Sequence, residues 1–231
     1  MSYDILATFY DSFIDPDVYE RYLSLVDKYT SKGLLLDVGC GTGNLSIEFA
    51  KRGFDVMATD LSMDMLQIVH YRAEQEDVDL ELGIYDMLDP IPIEYDTIVA
   101  SMDVINHLTD LEDVMFGFAN IFKSLKTNGV FIFDVLSPEY VDALDGYVED
   151  DDEYNFHWES HKGDKPHSII HTIDVDVQDE IERVVIQEET HESDEYRKII
   201  KSVGFVILEE VALPERTIFV CQKPEKTQAI K

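Results

Sequence analysis

The residues best suited to chemistry sit in one run, Leu34-Leu35-Leu36-Asp37-Val38-Gly39-Cys40-Gly41-Thr42-Gly43-Asn44. An apolar stretch feeds three alternate glycines and then a helix-like sequence. Glycines let a backbone turn sharply and approach a ligand closely, and a helix N-terminus presents unpaired N–H groups to negative charge. Asp60 falls 23 residues after Asp37, at the end of the next apolar run, where a carboxylate can accept hydrogen bonds from a ribose diol. Strand, glycine loop, helix, strand and terminal Asp, in that order, read as a nucleoside site.

Two nucleoside ligands compete for this order. A nicotinamide fingerprint needs G-x-G-x-x-G, and here Asn44 stands where the third fingerprint glycine would be. Asp37 would sit badly beside a pyrophosphate but well beside an ammonium, unless it simply caps the loop backbone. The spacing favours a ligand with an amino-acid end and a nucleoside end, which is S-adenosylmethionine.

Asp37-Val38-Gly39-Cys40-Gly41-Thr42-Gly43 resembles the first motif of class I S-adenosylmethionine-dependent methyltransferases. Asp60 in Ala58-Thr59-Asp60-Leu61-Ser62 resembles their ribose-binding acid, and Tyr85-Asp86-Met87 resembles the motif whose acid reaches the adenine amino group. Residues 94–99 and 129–134 resemble the fourth and fifth strands. Phe9-Tyr10-Asp11, Phe156-His157-Trp158 and Glu189-Thr190-His191 resemble a small bacterial branch of the family. The resemblance implies cofactor contacts at Asp37, Gly39, Cys40, Gly41, Gly43, Asn44, Asp60, Leu61, Asp86, Met87 and Ser101, with Tyr10 in an aromatic cover that Tyr3 and Phe9 would share.

The segment after the fourth strand, Ser101-Met102-Asp103-Val104-Ile105-Asn106-His107, should face the reacting methyl group, because open α/β sheets bind ligands beyond the carboxyl ends of their strands. His107, Asp103 and Asn106 are its candidate catalytic residues, His107 because an imidazole titrates near neutrality. The bland reading of His107 is a structural bond to a loop carbonyl. His157, His171 and His191 are spaced by 14 and 20 residues, which matches no compact metal motif, and no metal is expected. Cys40 reads as a small packed residue rather than a nucleophile.

These residues need a frame. Val18, Tyr22, Leu25, Val26 and Tyr29 recur at helical spacing after Asp15-Pro16, a cap and first-turn pair. From Gly33, short apolar runs alternate with amphipathic helices: strands over 34–38, 54–60, 80–85, 97–101 and 130–135, and helices over 44–52, from Ser62, and from Thr109, whose pairing with Glu112 resembles a capping box that leads to a helix ending at Asn128-Gly129. Such alternation predicts a parallel sheet covered on both faces. After Pro138 it breaks. Residues 154–160, 168–177 and 181–189 show partial period-two alternation, which predicts an antiparallel meander led by a solvated acidic loop around Asp150, Asp151 and Asp152. A helix over 193–203, stopped by Gly204, and a hairpin around Pro214 complete the pattern. The expected fold is a Rossmann-like α/β domain with a seven-stranded, mostly parallel sheet. Residues 1–32 would be a helical cover, 33–138 and 193–223 the core, and 139–192 an inserted β lid.

The whole chain narrows the function. Its 231 residues, 45% apolar, suffice for one buried α/β core. Eighteen Lys and Arg against 49 Asp and Glu give a net charge of −31. Phosphate backbones and anionic membranes would repel such a chain, so neither nucleic acid nor membrane is an expected partner. The first residues lack the basic and apolar regions of a signal peptide, no apolar stretch is long enough to span a bilayer, and two cysteines make no disulfide framework; a cytoplasmic location is expected. The resemblance implies methyl transfer, with release of S-adenosylhomocysteine, and the acidity points to a neutral or cationic small acceptor. The rival readings are a non-catalytic S-adenosylmethionine-binding regulator and an NAD-dependent oxidoreductase. The acceptor atom and the oligomeric state are not legible.

Overall fold

The computed structural model describes residues 16–151, 156–177 and 180–225. Helix α1 (Pro16–Tyr29) precedes the alternating core: β1 (Leu34–Val38), α2 (Asn44–Lys51), β2 (Asp55–Asp60), α3 (Met63–Gln75), β3 (Glu81–Ile84), β4 (Tyr95–Ala100), α4 (Leu111–Ser124) and β5 (Leu125–Leu136). A short helix α5 (Pro138–Ala143) leads to four strands, β6 (Val148–Asp151), β7 (Phe156–Lys162), β8 (Ser168–Val177) and β9 (Glu180–Glu189). Helix α6 (Ser193–Val203) and strands β10 (Val206–Ala212) and β11 (Arg216–Gln222) return to the core. The large sheet has seven strands in the order β10-β11-β5-β4-β1-β2-β3, parallel except at β11, and the second sheet runs β6-β7-β8-β9, antiparallel throughout.

Period-two alternation explains the two apolar layers. Leu36 and Val38 of β1 and Phe131 and Phe133 of β5 face α4 and α6, where they meet Phe118, Ile121, Tyr196 and Ile200. Leu35 and Ile132 face the opposite way, toward Tyr22 and Val26 of α1 and Leu45 and Phe49 of α2. Aromatic rings bind the first layer: Phe118 lies 4.7 Å from Phe133, and Phe133 5.3 Å from Phe219. Among the described residues no helix is long and apolar enough to cross a membrane.

Four expectations are corrected. Helix α4 stops at Ser124 rather than Asn128-Gly129, because Asn128 N–H donates to the Lys223 carbonyl at 2.8 Å and Lys223 N–H to that of Gly129 at 3.0 Å, drawing this segment into the sheet. Asp110, not Thr109, caps α4: its carboxylate accepts the Glu112 N–H at 2.9 Å. Part of the supposed acidic loop is strand β6, where Asp150 pairs with His157 across the ladder and their side chains meet at 2.7 Å. Asp152 lies outside the described residues. Finally, the insert opens with helix α5, whose Val141 packs with Leu136 and Ile169 and so seats the second sheet on the end of β5.

Candidate active site

The carboxyl ends of β1 to β4 share one edge of the sheet, and a cavity of about 640 Å³ opens there. Its volume is in the range of small-molecule sites. The glycine loop forms its floor. Gly41 N–H donates to Asp60 Oδ2 at 2.9 Å, and Ser62 N–H donates to Asp60 Oδ1 at 2.8 Å. Two backbone donors thus fix the carboxylate at the cavity wall, and each oxygen keeps a lone pair for a ligand hydroxyl. Gly41 has φ +53° and a Cβ there would meet nothing within 4 Å, whereas a Cβ on Gly43 would meet Val69 at 2.8 Å. Gly41 therefore leaves room for a ligand, while Gly43 lets α2 and α3 close behind the loop.

Asp37 lies behind the loop, 1% exposed. Its Oδ2 accepts the Ser46 hydroxyl at 2.5 Å, but its buried Oδ1 has no hydrogen-bond partner. Burial pushes its carboxyl up to about 7; Ser46 opposes the shift and Asp60 adds to it. A buried carboxylate with an unpartnered oxygen just behind the glycine loop suits a cationic amino group. At the other end, Asp86 lines the cavity and its Oδ1 accepts the Leu88 N–H at 2.9 Å. Asn120 of α4 holds that loop by donating to the Met87 and Leu88 carbonyls at 3.2 and 2.8 Å. Burial raises the Cys40 thiol far above neutrality, which fits packing and excludes it as a nucleophile at neutral pH.

The turn after β4 forms the remaining wall. Met102 and Asp103 both take left-handed backbones, φ 63° and 71°, a conformation that costs about 1–3 kcal/mol per non-glycine residue. A buried charge cluster holds them. Asp134 Oδ1 accepts the Met102 N–H at 2.7 Å and also the Tyr22 hydroxyl, while Arg216 Nη1 reaches Asp134 Oδ2 at 2.5 Å and Asp103 Oδ1 at 2.7 Å. Burial pushes the Asp103 carboxyl up to about 8; Arg216 opposes the shift, and Asp134 and Glu188 add to it. The strained turn delivers Met102, Val104, His107 and Leu108 to the cavity.

Of the three candidate catalytic residues, only His107 lines the cavity. Asp103 is turned to Arg216. Asn106 is fully buried: its Nδ2 donates to the Glu189 carbonyl and its Oδ1 accepts the Leu136 N–H, both at 3.0 Å, so it ties the insert to β5. Gly39, Cys40, Gly41, Asn44, Asp60, Leu61, Asp86, Met87 and Ser101 all line the cavity; Asp37 and Gly43 stand behind it, and Tyr10, Tyr3 and Phe9 lie outside the described residues. Among the described residues no group of three or more His, Cys, Asp or Glu side chains converges as a metal site.

The sequence profile described as "Methyltransferase domain" matches residues 35–129. A candidate methyltransferase of Geobacillus sp. (strain WCH70) is 30% identical, over 96% of this chain and 100% of that protein. Among solved structures, an S-adenosylmethionine-dependent methyltransferase from Clostridium acetobutylicum ATCC 824 superposes with TM-score 0.82 at 23% identity, covering 97% of this chain and 100% of that one. CalS10 of Micromonospora echinaspora, solved with S-adenosylmethionine bound, superposes with TM-score 0.66 at 22% identity, covering 90% of this chain and 89% of that one. The chain belongs to the class I S-adenosylmethionine-dependent methyltransferases.

When bound, the cofactor supplies a methyl group already activated by a sulfonium, so the methyltransferase itself has to hold, orient and desolvate. Asp60 is suited to a ribose diol, Asp86 to an adenine edge, and the unpartnered oxygen of Asp37 to an ammonium. Sequence reasoning missed several cavity residues of this methyltransferase. Tyr19 of α1 reaches the cavity and its hydroxyl accepts the Asn44 Nδ2–H at 3.2 Å. The insert contributes Val184, Val185 and Ile186 of β9. Phe156, Trp158, Ile170 and Ile173, apolar residues of the insert's alternating runs, are absent from its lining, and Phe156 and Ile173 are buried in the insert's own core; Tyr154 lies outside the described residues. The signal available for β9 was its run Val184-Val185-Ile186, the most apolar of the insert.

Proposed function

We propose that this methyltransferase methylates a small molecule, neutral or cationic, that enters between β9 and the turn after β4. Residues 139–192 would act as its lid, residues 33–138 and 193–223 as the cofactor-binding core, and residues 1–32 as a cover. The observation that supports this reading is that Val184, Val185 and Ile186 of the insert line the same cavity as Asp60 and Asp86. An acceptor admitted past such a wall has to be small, and a net charge of −31 disfavours anions. Two free cysteines, one of them fully buried, suit a reducing cytoplasm.

The rival is a protein acceptor. The ribosomal protein L11 methyltransferase of Dictyoglomus turgidum is 31% identical, but over 53% of this chain and only 39% of that protein. So partial an overlap leaves acceptor choice to the insert. The test incubates the protein with methyl-labelled S-adenosylmethionine and a cell extract separated into small-molecule filtrate and protein retentate. Label in the filtrate, lost when residues 148–190 are replaced by a short linker while S-adenosylhomocysteine still binds, is the expected result. Label confined to the retentate would overturn the small-acceptor reading.

A further inference from the structure

A buried carboxylate in the insert is aimed at the one candidate base in the cavity. Glu188 of β9 is 6% exposed, with Oε1 3.9 Å from His107 Nε2 and Oε2 3.5 Å from His171 Nε2. His171, on β8, is also 6% exposed, and its tautomer follows from its neighbours. Trp158 Nε1–H, which can only donate, reaches His171 Nδ1 at 3.2 Å, and the Ser160 hydroxyl reaches the same nitrogen at 2.7 Å. Nδ1 therefore carries the lone pair and Nε2 the proton, turned to Glu188. His171 thus steadies a carboxylate whose other oxygen faces an imidazole half exposed in the cavity.

We propose that His107 is the proton acceptor of the methyl transfer, that Glu188 and His171 are its positioning residues, and that the acceptor is consequently a nucleophile whose proton has to leave, such as a hydroxyl or an ammonium. The proposal rests on the small-acceptor reading above. Glu188 Oε1 stands 3.9 Å from His107 Nε2, an ion-pair rather than a hydrogen-bond separation; the carboxylate draws the ring proton to Nε2 and so favours the lone pair on Nδ1, the sense in which a carboxylate orients an imidazole base. The acceptor's proton passes to Nδ1, the acceptor's freed electron pair bonds to the methyl carbon, and the carbon–sulfur pair returns to sulfur. The products are the methylated acceptor, S-adenosylhomocysteine and an imidazolium whose charge Glu188 balances. A nucleophile with no proton to lose, such as a thioether, would leave this pair without a task.

The groups facing Glu188 come from three elements: His107 and Asp103 of the turn after β4, His171 on β8, and Tyr140 on α5, with Arg216 paired to Asp103.

Nitrogen-15 NMR of the full chain with S-adenosylhomocysteine reads the tautomer without any acceptor. Neutral His107 is expected with its proton on Nε2, and Glu188→Gln should allow a mixture of tautomers. In the filtrate assay, His107→Gln should lower the single-turnover rate on the order of a hundredfold to ten-thousandfold and remove the ascending limb of rate against pH, with Glu188→Gln intermediate. Tandem mass spectrometry of the labelled filtrate separates O-methyl from N-methyl products. An Nδ1-protonated His107, or His107→Gln turning over at the wild-type rate, overturns the proposal. Should Glu188→Gln fail to fold, the wild-type tautomer and His107→Gln decide. Label appearing only in the retentate would defeat the small-acceptor reading while the tautomer result stood.

Discussion

Asp37 shows how one residue can oppose the fold and serve the ligand. Its carboxyl sits at about 7 because burial raises it, and no partner meets Oδ1. For an acid whose folded value lies above the ordinary 3.8, the native state retains a proton that the unfolded chain has released. Stability is then lost as pH rises from about 4 to 7, and below that window the two states are alike. An ammonium brought to Oδ1 favours the ionised form, so binding near neutrality should release a proton. Calorimetry with S-adenosylhomocysteine in buffers of different ionisation enthalpy should show that release in the wild type and none in Asp37→Asn. The same variant should bind more weakly yet gain stability without ligand relative to wild type as pH rises. Equal proton release in both proteins would remove Asp37 from the ammonium site. At this scale the sequence was most legible where spacing brings residues together: Gly41 and Asp60 are joined by one hydrogen bond across 19 residues.

Among the elements, the turn after β4 is the least self-sufficient. Its two left-handed residues are held by Asp134, 32 residues beyond Met102, and by Arg216, 113 residues beyond Asp103. Partners that remote leave no local trace, which is why the sequence placed Asp103, Asn106 and His107 together on the cavity and only His107 is there. The same limit applied to the insert: alternation located β7, β8 and β9, but which of them meets the core depends on α5 and on the Asn106 and Thr190 bonds to Leu136. Arg216 is the element's keystone, 8% exposed in its side chain and shared by two carboxylates. Arg216→Met would leave the fully buried Asp134 without its cation, a change that costs about 3–5 kcal/mol for buried pairs. Urea unfolding should show a loss of that size, partly recovered by adding Asp134→Asn. A near-neutral Arg216→Met would mean that the turn is held by packing instead.

Across the whole molecule, excess negative charge and raised buried acids act in one direction but through different physics. The parallel core was legible in the sequence because strand and helix periods alternate along it; the electrostatics were legible as a total of −31 and not as a distribution. Repulsion among surface carboxylates is long-ranged and is screened over about 8 Å at physiological ionic strength. Asp37, at about 7, is buried and Asp103, at about 8, half-buried, and salt screens them less than the surface acids. Both hold protons in the folded state that the unfolded chain gives up, so each withdraws stability as pH climbs toward its folded value. The ligand-free protein should therefore melt at progressively lower temperature between about pH 6 and 8. Added sodium chloride should raise the whole curve by relieving surface repulsion while leaving much of its slope. The double variant Asp37→Asn/Asp103→Asn should lose that remaining slope. S-adenosylhomocysteine at a hundred times its dissociation constant should add about 2.7 kcal/mol, and NAD at the same concentration none. Scanning calorimetry at low and high salt separates the two effects. A slope that salt abolishes entirely would assign the pH dependence to the surface and take Asp37 and Asp103 out of it.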